Sequence, residues 1–196
     1  MYSETFLSLV KPLENLRRIL WAAFIASTVA YVILAYAFFG QTGAGVDALR
    51  SNPLTIPFVV LSMAAAVLAP ITPRLTDARM RQLISRPPEA LARDPRTGAV
   101  NQDRLAKIKA LAPDEQQLFA LVSISFAPFI VRLAFNESIA LYGLVLAFLA
   151  KSFVAVLPFA VVSFALNLMV PSLMDSAMSR AASLGIGSTN APIQPR

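Results

Sequence analysis

Two ionisable side chains, Arg132 and Glu137, are the residues of this chain whose type and position could do chemistry. They lie inside a run from Gln116 to Ala150 that is otherwise uncharged. A charge at bilayer depth is costly unless protein, water or a partner charge compensates it. Within the predicted third span, residues 127–149, Arg132 lies about one helical turn from one end, where its long stem can reach the membrane surface. Glu137 lies near the middle and has a shorter side chain, so it is the residue that most needs compensation.

The spacing of the pair argues against an ion pair between them. The five-residue separation corresponds to about 7.5 Å along a helix axis and about 140° around it, so the two side chains point to different faces. No cation stands one helical turn from Glu137 on either side. Polar residues of other segments at matching depth are the expected hydrogen-bond partners, namely Ser163 and Ser27 or Thr28 for Glu137, and Asn167 for Arg132.

The chain contains no Cys and no His, which excludes disulfides, thiolate catalysis and the ordinary imidazole base and metal ligand. It also lacks a nucleotide-binding motif with the strand and helix that such a motif requires. We therefore expect no catalytic residue, no metal and no cofactor. The chemistry that remains is hydrogen bonding between helices, or the loading of a proton or cation on Glu137. Small residues that would let helices approach closely in the third span are Ala134, Ala140, Gly143 and Ala147.

The run from Asn136 to Leu149, NESIALYGLVLAFL, is similar to the carboxylate-bearing helix of the proteolipid c subunits of rotary ATP synthases. The resemblance covers 14 of 196 residues and implies that Glu137 would carry H⁺ or Na⁺, with Ser138 and Tyr142 close to it. The chain departs from those subunits because it has neither their glycine-rich helix nor their short polar loop. The whole layout resembles small four-span bacterial membrane proteins of unassigned function, which implies a location in the bacterial inner membrane.

Composition indicates the medium in which most of the chain lies. Apolar residues make up 57% and charged residues 14%, with a mean hydropathy of +0.64, whereas soluble domains carry about 25% charged residues. A helix needs about 20 apolar residues to cross the hydrocarbon core. Three uncharged runs and the apolar run that holds Arg132 and Glu137 predict an all-α integral membrane four-helix bundle, built of two transmembrane hairpins. Its spans are predicted at residues 19–39, 52–73, 127–149 and 152–174.

Three segments are predicted to lie outside the membrane, at residues 1–18, 74–126 and 175–196. The central one contains a loop of about 40 residues, from Arg74 to Ala112. This loop is predicted to carry short surface helices, one of them over Asn101 to Ala112 with Leu105, Ile108 and Leu111 on one face. Residues 113–126 are interpreted as a packed extension of the third span, joined to it by a kink at Pro128. The tail is expected to be disordered because it has little apolar content. Lys and Arg concentrate in these segments, so both termini are predicted to be cytoplasmic.

Two classes of function follow from this layout. The first is a non-enzymatic membrane protein that is an accessory or structural subunit of a membrane assembly, or a homo-oligomer. Its partners would be the lipid bilayer and other membrane subunits or itself, and no nucleic acid, because the net charge of +6 lies in membrane-flanking positions. The second is a proton or cation pathway in which Glu137 loads and unloads, assisted by Arg132, Asn136, Tyr142 and Ser163.

Overall fold

The computed structural model describes residues 2–41, 46–75, 87–94 and 97–184. Within these ranges the chain is helical except for turns, irregular segments and one isolated pairing of Arg93 with Val100. The helices are α1 (Glu4–Phe39), α2 (Val46–Ser51), α3 (Thr55–Leu75), α4 (Pro88–Leu91), α5 (Gln102–Lys109), α6 (Pro113–Ala150), α7 (Leu157–Leu168) and α8 (Leu173–Leu184), with a 3₁₀ turn at Phe153–Ala155.

Two of these helices, α1 and α6, are long and apolar enough to span a membrane. The helical pair Phe153–Leu168 and Leu173–Ser179 passes the same test when taken together, but it is bent by 64° at its break. Residues Thr55–Ala69 of α3 form a shorter apolar helix. The prediction of an all-α chain is therefore confirmed for the described residues, and α1 and α6 have the length and apolar character of membrane spans.

The prediction of one continuous span over residues 152–174 is wrong. Helix α7 ends at Leu168, and α8 begins at Leu173 in a different direction. Pro158 occupies the first turn of α7 rather than its interior, where the missing N–H of proline leaves no helical hydrogen bond unmade. Pro171 prevents α7 from continuing, because a proline disfavours the helical conformation of the residue before it.

Other predicted boundaries also shift. Helix α3 begins at Thr55 and continues through Pro70 and Pro73 to Leu75, although these prolines were expected to lie at its end. Residues 113–126, interpreted from the sequence as an extension of the third span, form the first part of α6, and this helix is continuous across Pro128. The predicted loop helix is present over Gln102–Lys109, with the side chain of Asn101 accepting a hydrogen bond from the Arg104 N–H at 3.0 Å.

The chain divides into two compact units. Unit 1 comprises Met1–Arg17, Thr76–Ala127 and Pro171–Arg196, and unit 2 comprises Arg18–Leu75 and Pro128–Val170. In the described part of unit 1, the apolar core includes Phe6, Leu105, Ile108, Leu111, Leu118, Phe119, Leu121, Val122 and Leu173.

Polar contacts join distant segments within unit 1. The N–H and Oγ of Ser3 donate to the carboxylate of Glu115 at 2.6 and 2.7 Å. Glu14 Oε1 accepts the Met174 N–H at 3.1 Å, at the start of α8. Ser172 and Asp175 add a capping box there, with the Asp175 N–H donating to Ser172 Oγ at 3.0 Å. The expectation of a disordered tail is thus wrong for residues up to Leu184, and residues 185–196 lie outside the described ranges.

Contacts in unit 2 define the directions of its helices. Trp21 meets Asn167 and Tyr36 meets Phe153, so α7 and the 3₁₀ turn before it run opposite to α1. Ser27 meets Glu137 and Phe39 meets Phe148, so α1 and α6 run in the same direction. We call the end where they enter unit 2, at Arg18 and Pro128, the entry end, and the end at Phe39 and Ala150 the far end. Helix α3 runs opposite to α6, because Phe58 packs on Tyr142 and Leu68 lies across a groove from Val131.

Candidate functional site

Glu137 is held by hydroxyl groups of α1. Ser27 Oγ lies 2.5 Å from Glu137 Oε1, and Thr28 Oγ1 lies 3.4 Å from Oε2. The Tyr31 hydroxyl is also hydrogen-bonded to this carboxylate. Residues 27 and 28 lie four and three positions before residue 31, and side chains at these spacings lie on the same side of a helix. The carboxylate therefore joins α6 to one face of α1.

The expected burial of Glu137 is only partly met, since its side chain is half-buried within the protein. Ser27 and Thr28 are the partners that depth matching predicts. Ser163, the third predicted partner, reaches the site through Thr28, since its Oγ lies 3.4 Å from Thr28 Oγ1 and is not bonded to Glu137 directly in the described ranges. Ser163 is fully buried on α7, so the hydroxyl chain connects three helices.

The count of hydroxyl protons allows two protonation states at this site. Ser27 Oγ lies 2.8 Å from the Phe24 carbonyl oxygen as well as 2.5 Å from Glu137 Oε1, and a hydroxyl has one proton to donate. Ser27 can donate to an ionised Glu137. A protonated Glu137 can instead donate to Ser27, which then donates to the Phe24 carbonyl. The site can therefore satisfy its hydrogen bonds with Glu137 either charged or neutral.

A second polar contact lies between two fully buried amides. Asn136 Nδ2 donates to Asn167 Oδ1 at 3.0 Å, joining α6 to α7. Trp21 Nε1 donates to the backbone oxygen of Asn167 at 2.9 Å. The sequence predicts Asn167 as a partner of Arg132, but Asn167 bonds Asn136, one turn further along α6. Asn136 Oδ1 and Asn167 Nδ2 find no hydrogen-bond partner among the described residues.

Arg132 is not part of the Glu137 site. Its side chain is half-buried, and its Nε has no hydrogen-bond partner in the part of the chain that the structure describes. No described carboxylate forms an ion pair with it. The prediction that Arg132 and Glu137 do not compensate each other thus agrees with the geometry of α6.

The two residues that the c-subunit resemblance places beside Glu137 make their contacts with other groups. Ser138 Oγ donates to the backbone oxygen of Phe135 at 2.7 Å. Tyr142 packs on Phe58, with ring centroids 5.8 Å apart, and it lines a groove between α3 and α6. Neither forms a hydrogen bond with Glu137 within the described ranges. Tyr31 takes this role from another helix, and its spacing of four residues from Ser27 is the signal that could have identified it.

Three of the four predicted packing residues are buried. Ala140, Gly143 and Ala147 lie in the interior of unit 2, whereas Ala134 is exposed and lines the groove between α3 and α6. At Gly143 a Cβ would lie 2.5 Å from the Cβ of Phe159 on α7, closer than packed carbon atoms can approach. Glycine therefore sets the distance between α6 and α7.

No group of three or more acidic, His or Cys side chains in the described ranges could hold a metal ion. Comparison of the chain with family models, with curated proteins and with solved structures finds no match in any of the three. The candidate site is therefore defined by its own geometry, which is a half-buried carboxylate on α6, hydroxyl groups on α1 and α7, and a neighbouring amide pair.

Proposed function

We propose that this chain is a non-enzymatic, multi-pass protein of the bacterial inner membrane that acts as an accessory or structural subunit of a membrane assembly, with itself or with other membrane proteins. The observation that carries the proposal is the clamp of Glu137 on Ser27, Thr28 and Tyr31. A carboxylate held by three hydroxyl groups of one neighbouring helix is an interhelical anchor. It compensates the cost of an acid at membrane depth without any reaction.

The proposed topology is a four-helix bundle of two hairpins with both termini in the cytoplasm. Its support is the alternation of direction within unit 2, in which α1 and α6 run one way and α3 and α7 the other. The basic residues of the flanking segments favour a cytoplasmic entry end. The broken connection from α7 to α8 would then lie near that membrane surface.

Association is supported by the surface of α1. Only 11% of its spanning window is buried in the protein, against 50% for α6. Its exposed face carries Ala22, Ala26 and Ala30 at four-residue spacing, and such small residues let membrane helices approach closely. Helix α1 is held within the protein by the polar face that bonds Glu137, and its other faces are exposed. These exposed faces are available to contact another subunit.

The anchor is tested by comparing Glu137→Gln with Glu137→Leu in detergent-purified protein. We expect Gln to be tolerated, because an amide keeps the shape and can both donate and accept hydrogen bonds. Leu should lower the free energy of unfolding by about 2 kcal/mol, since hydrogen bonds inside membrane proteins average roughly 0.6 kcal/mol each. Ser138→Ala is the matched control, because Ser138 bonds only its own helix backbone in the described structure.

The assembly is tested by crosslinking in membranes followed by native mass measurement of the purified protein. We expect a mass greater than that of one chain, and a smaller mass when Ala26 is replaced by Leu. An unchanged stability of Glu137→Leu would refute the anchor. A single-chain mass in the membrane-extracted protein, with no co-purifying subunit, would refute the assembly.

A proton or cation pathway through Glu137 is the second candidate, and the hydroxyl chain that links Glu137, Thr28 and Ser163 favours it. A carboxylate with hydroxyl oxygens suits a hard cation, and the proton count at Ser27 permits a neutral acid. Vesicles loaded with a pH-sensitive dye distinguish the candidates. A pathway predicts a leak that Glu137→Gln abolishes, whereas an anchor predicts the same signal from wild-type and variant vesicles.

A further inference from the structure

A groove between α3 and α6 contains two hydroxyl groups that the Glu137 site does not use. Ser138 and Tyr142 both line this groove, and their four-residue spacing places them on one face of α6. The Ser138 hydroxyl donates to the Phe135 backbone oxygen at 2.7 Å, which leaves its own oxygen able to accept. The Tyr142 hydroxyl forms no hydrogen bond within the described ranges. The groove therefore offers a ligand one donor and one acceptor.

The groove has the size of a small-molecule site. Its volume is about 430 Å³, and ligand pockets occupy about 300–1,000 Å³. The small side chains of Ala64, Ala65 and Ala134 leave this space between the two helices. An α-helix of another subunit is about 10–12 Å wide, so it would lie over the groove and fill it only with single side chains. A compact molecule fits the space better. The other side chains that line it are apolar or aromatic, namely Leu61, Leu68, Val131 and Phe135.

Two further grooves of unit 2 differ in their polar side chains. In the groove between α3 and α7, the buried Ser62 donates to the Phe58 backbone oxygen at 2.8 Å. In the groove between α1 and α7, the buried Thr28 is engaged with Glu137 and Ser163. These two grooves present almost only apolar atoms. Of the three grooves, the one between α3 and α6 is thus suited to hydrogen-bond a ligand.

Depth limits which ligand can reach Tyr142. This residue follows Arg132 by ten positions and precedes Lys151 by nine, which is about 15 and 13.5 Å along α6. In a hydrocarbon core about 30 Å thick, Tyr142 therefore lies near the middle. The ester carbonyls of a phospholipid lie at the edges of this core, and its acyl chains carry no acceptor. A ligand that pairs with Tyr142 must bring its own oxygen atoms into the core.

We propose that the groove between α3 and α6 binds an isoprenoid quinone or its quinol. Such a molecule has a planar ring with oxygen atoms and a long apolar tail, and it dissolves in the hydrocarbon core. Tyr142 donates to a ring oxygen, Ser138 accepts from a quinol hydroxyl, and the Phe135 ring offers an aromatic surface for stacking. The tail packs against the apolar side chains of the groove. The inference rests on the proposed placement of unit 2 in a bilayer and is independent of the anchor role of Glu137.

Binding is measured on the full-length protein in phosphatidylcholine nanodiscs, with a tritium-labelled benzoquinone that carries a decyl tail. Protein-free nanodiscs give the amount of quinone that dissolves in lipid alone. We expect saturable binding to the wild-type protein. Tyr142→Phe removes only the hydroxyl and should weaken binding about fivefold, the effect of losing one hydrogen bond. Ala134→Leu fills the groove and should abolish saturable binding.

Tyr36→Phe and Ala165→Leu are the matched controls. Tyr36 is exposed beside Phe153 at the far end, and Ala165 lines the groove between α1 and α7, so both variants should bind as the wild type does.

Three results would overturn the proposal while the protein is incorporated in nanodiscs. These are the absence of saturable binding to the wild type, wild-type affinity in Tyr142→Phe, and equal competition by decylbenzene, which would mean that the groove accepts any apolar chain. Binding that appears only after a native assembly is dissociated would assign the groove to another subunit and overturn it as well. Protein that fails to incorporate would refute the membrane placement itself, and the inference with it.

Discussion

Units 1 and 2 differ in the polar side chains that they bury and in the apolar side chains that they expose. In unit 1 the large buried side chains are apolar, such as Phe119 and Leu121, and polar contacts lie near the surface. In unit 2 fully buried residues include Asn136, Asn167 and Ser163. Large apolar side chains of unit 2 are exposed, and Ile56 reaches 74%. The contrast is what we expect if water surrounds unit 1 and lipid surrounds unit 2, as in the proposed topology, because the side chains that need burial differ between the two media.

The largest effect is expected where unit 1 depends on the hydrophobic effect. Phe119 is fully buried, so Phe119→Ala should lower the free energy of unfolding by about 4 kcal/mol through lost transfer energy and a cavity. Ile56→Ala in unit 2 is the control, and it should change stability by less than about 0.5 kcal/mol because Ile56 faces lipid in both states. Denaturant titration of both variants measures this difference. Similar losses would contradict the assignment of different media.

The next effect tests packing inside unit 2. Gly143→Leu introduces a Cβ that would lie 2.5 Å from the Phe159 Cβ. We expect a loss of about 3 kcal/mol, since overpacking forces backbone shifts. Ala134→Leu adds the same bulk at an exposed position and should be nearly neutral. Unfolding in detergent micelles compares the two, and equal stability would show that α6 and α7 are not tightly packed.

A smaller effect concerns the buried amides that distinguish unit 2. Asn136→Leu leaves the Asn167 side chain without its 3.0 Å partner, so each single replacement should cost about 2 kcal/mol. The double replacement with Leu should cost less than the sum of the two. A double-mutant cycle measures this coupling. Strict additivity would mean that the amides act separately.

The smallest effect is expected at the surface of unit 1. The hydrogen bond from Lys109, whose Nζ lies 2.9 Å from Glu89 Oε1, lowers the pKa of Glu89 below its usual value of 4.5. Because the folded pKa is the lower one, the stabilisation is present above pH 4.5 and is lost as pH falls through the folded pKa. Lys109→Gln should return the Glu89 pKa toward 4.5 with little change in stability, as for other exposed pairs. NMR titration of the Glu89 carboxyl carbon measures the shift, and an unchanged pKa would contradict the pairing.

Sequence reasoning succeeded where the pattern is local. Uncharged runs locate α1 and α6, and the helix propensity of residues 101–112 locates α5. It failed where a distant residue completes the structure. Helix α8 receives a cap from Glu14, 160 positions away, so the polar composition of the tail alone wrongly indicates disorder. The break before α8 coincides with Pro171, and a count of uncharged residues does not detect such a stop.

The candidate site also contains some residues that the sequence identifies and others that only the packing of helices brings together. Glu137 stands out from sequence because an acid within an uncharged run is rare, and its hydroxyl partners Ser27 and Thr28 follow from depth. Tyr31 follows only once Ser27 is taken as a partner of Glu137. The pairing of Asn136 with Asn167 does not follow, since it requires the rotation of each helix about its axis. The c-subunit resemblance implies that Ser138 and Tyr142, which are on the same helix as Glu137, lie close to it. The hydrogen-bond partners of Glu137 instead come from α1.

The amino-acid sequence by itself determined the helical class, the lipid-facing character of much of the chain and the residue that needs compensation, because these depend on how many charges a segment carries. Only the tertiary structure decided which side chains meet. Helices α1, α6 and α7 can each turn about their axes without altering their hydropathy, and it is the packing of Gly143 against Phe159 and the hydrogen bonds of unit 2 that select one arrangement.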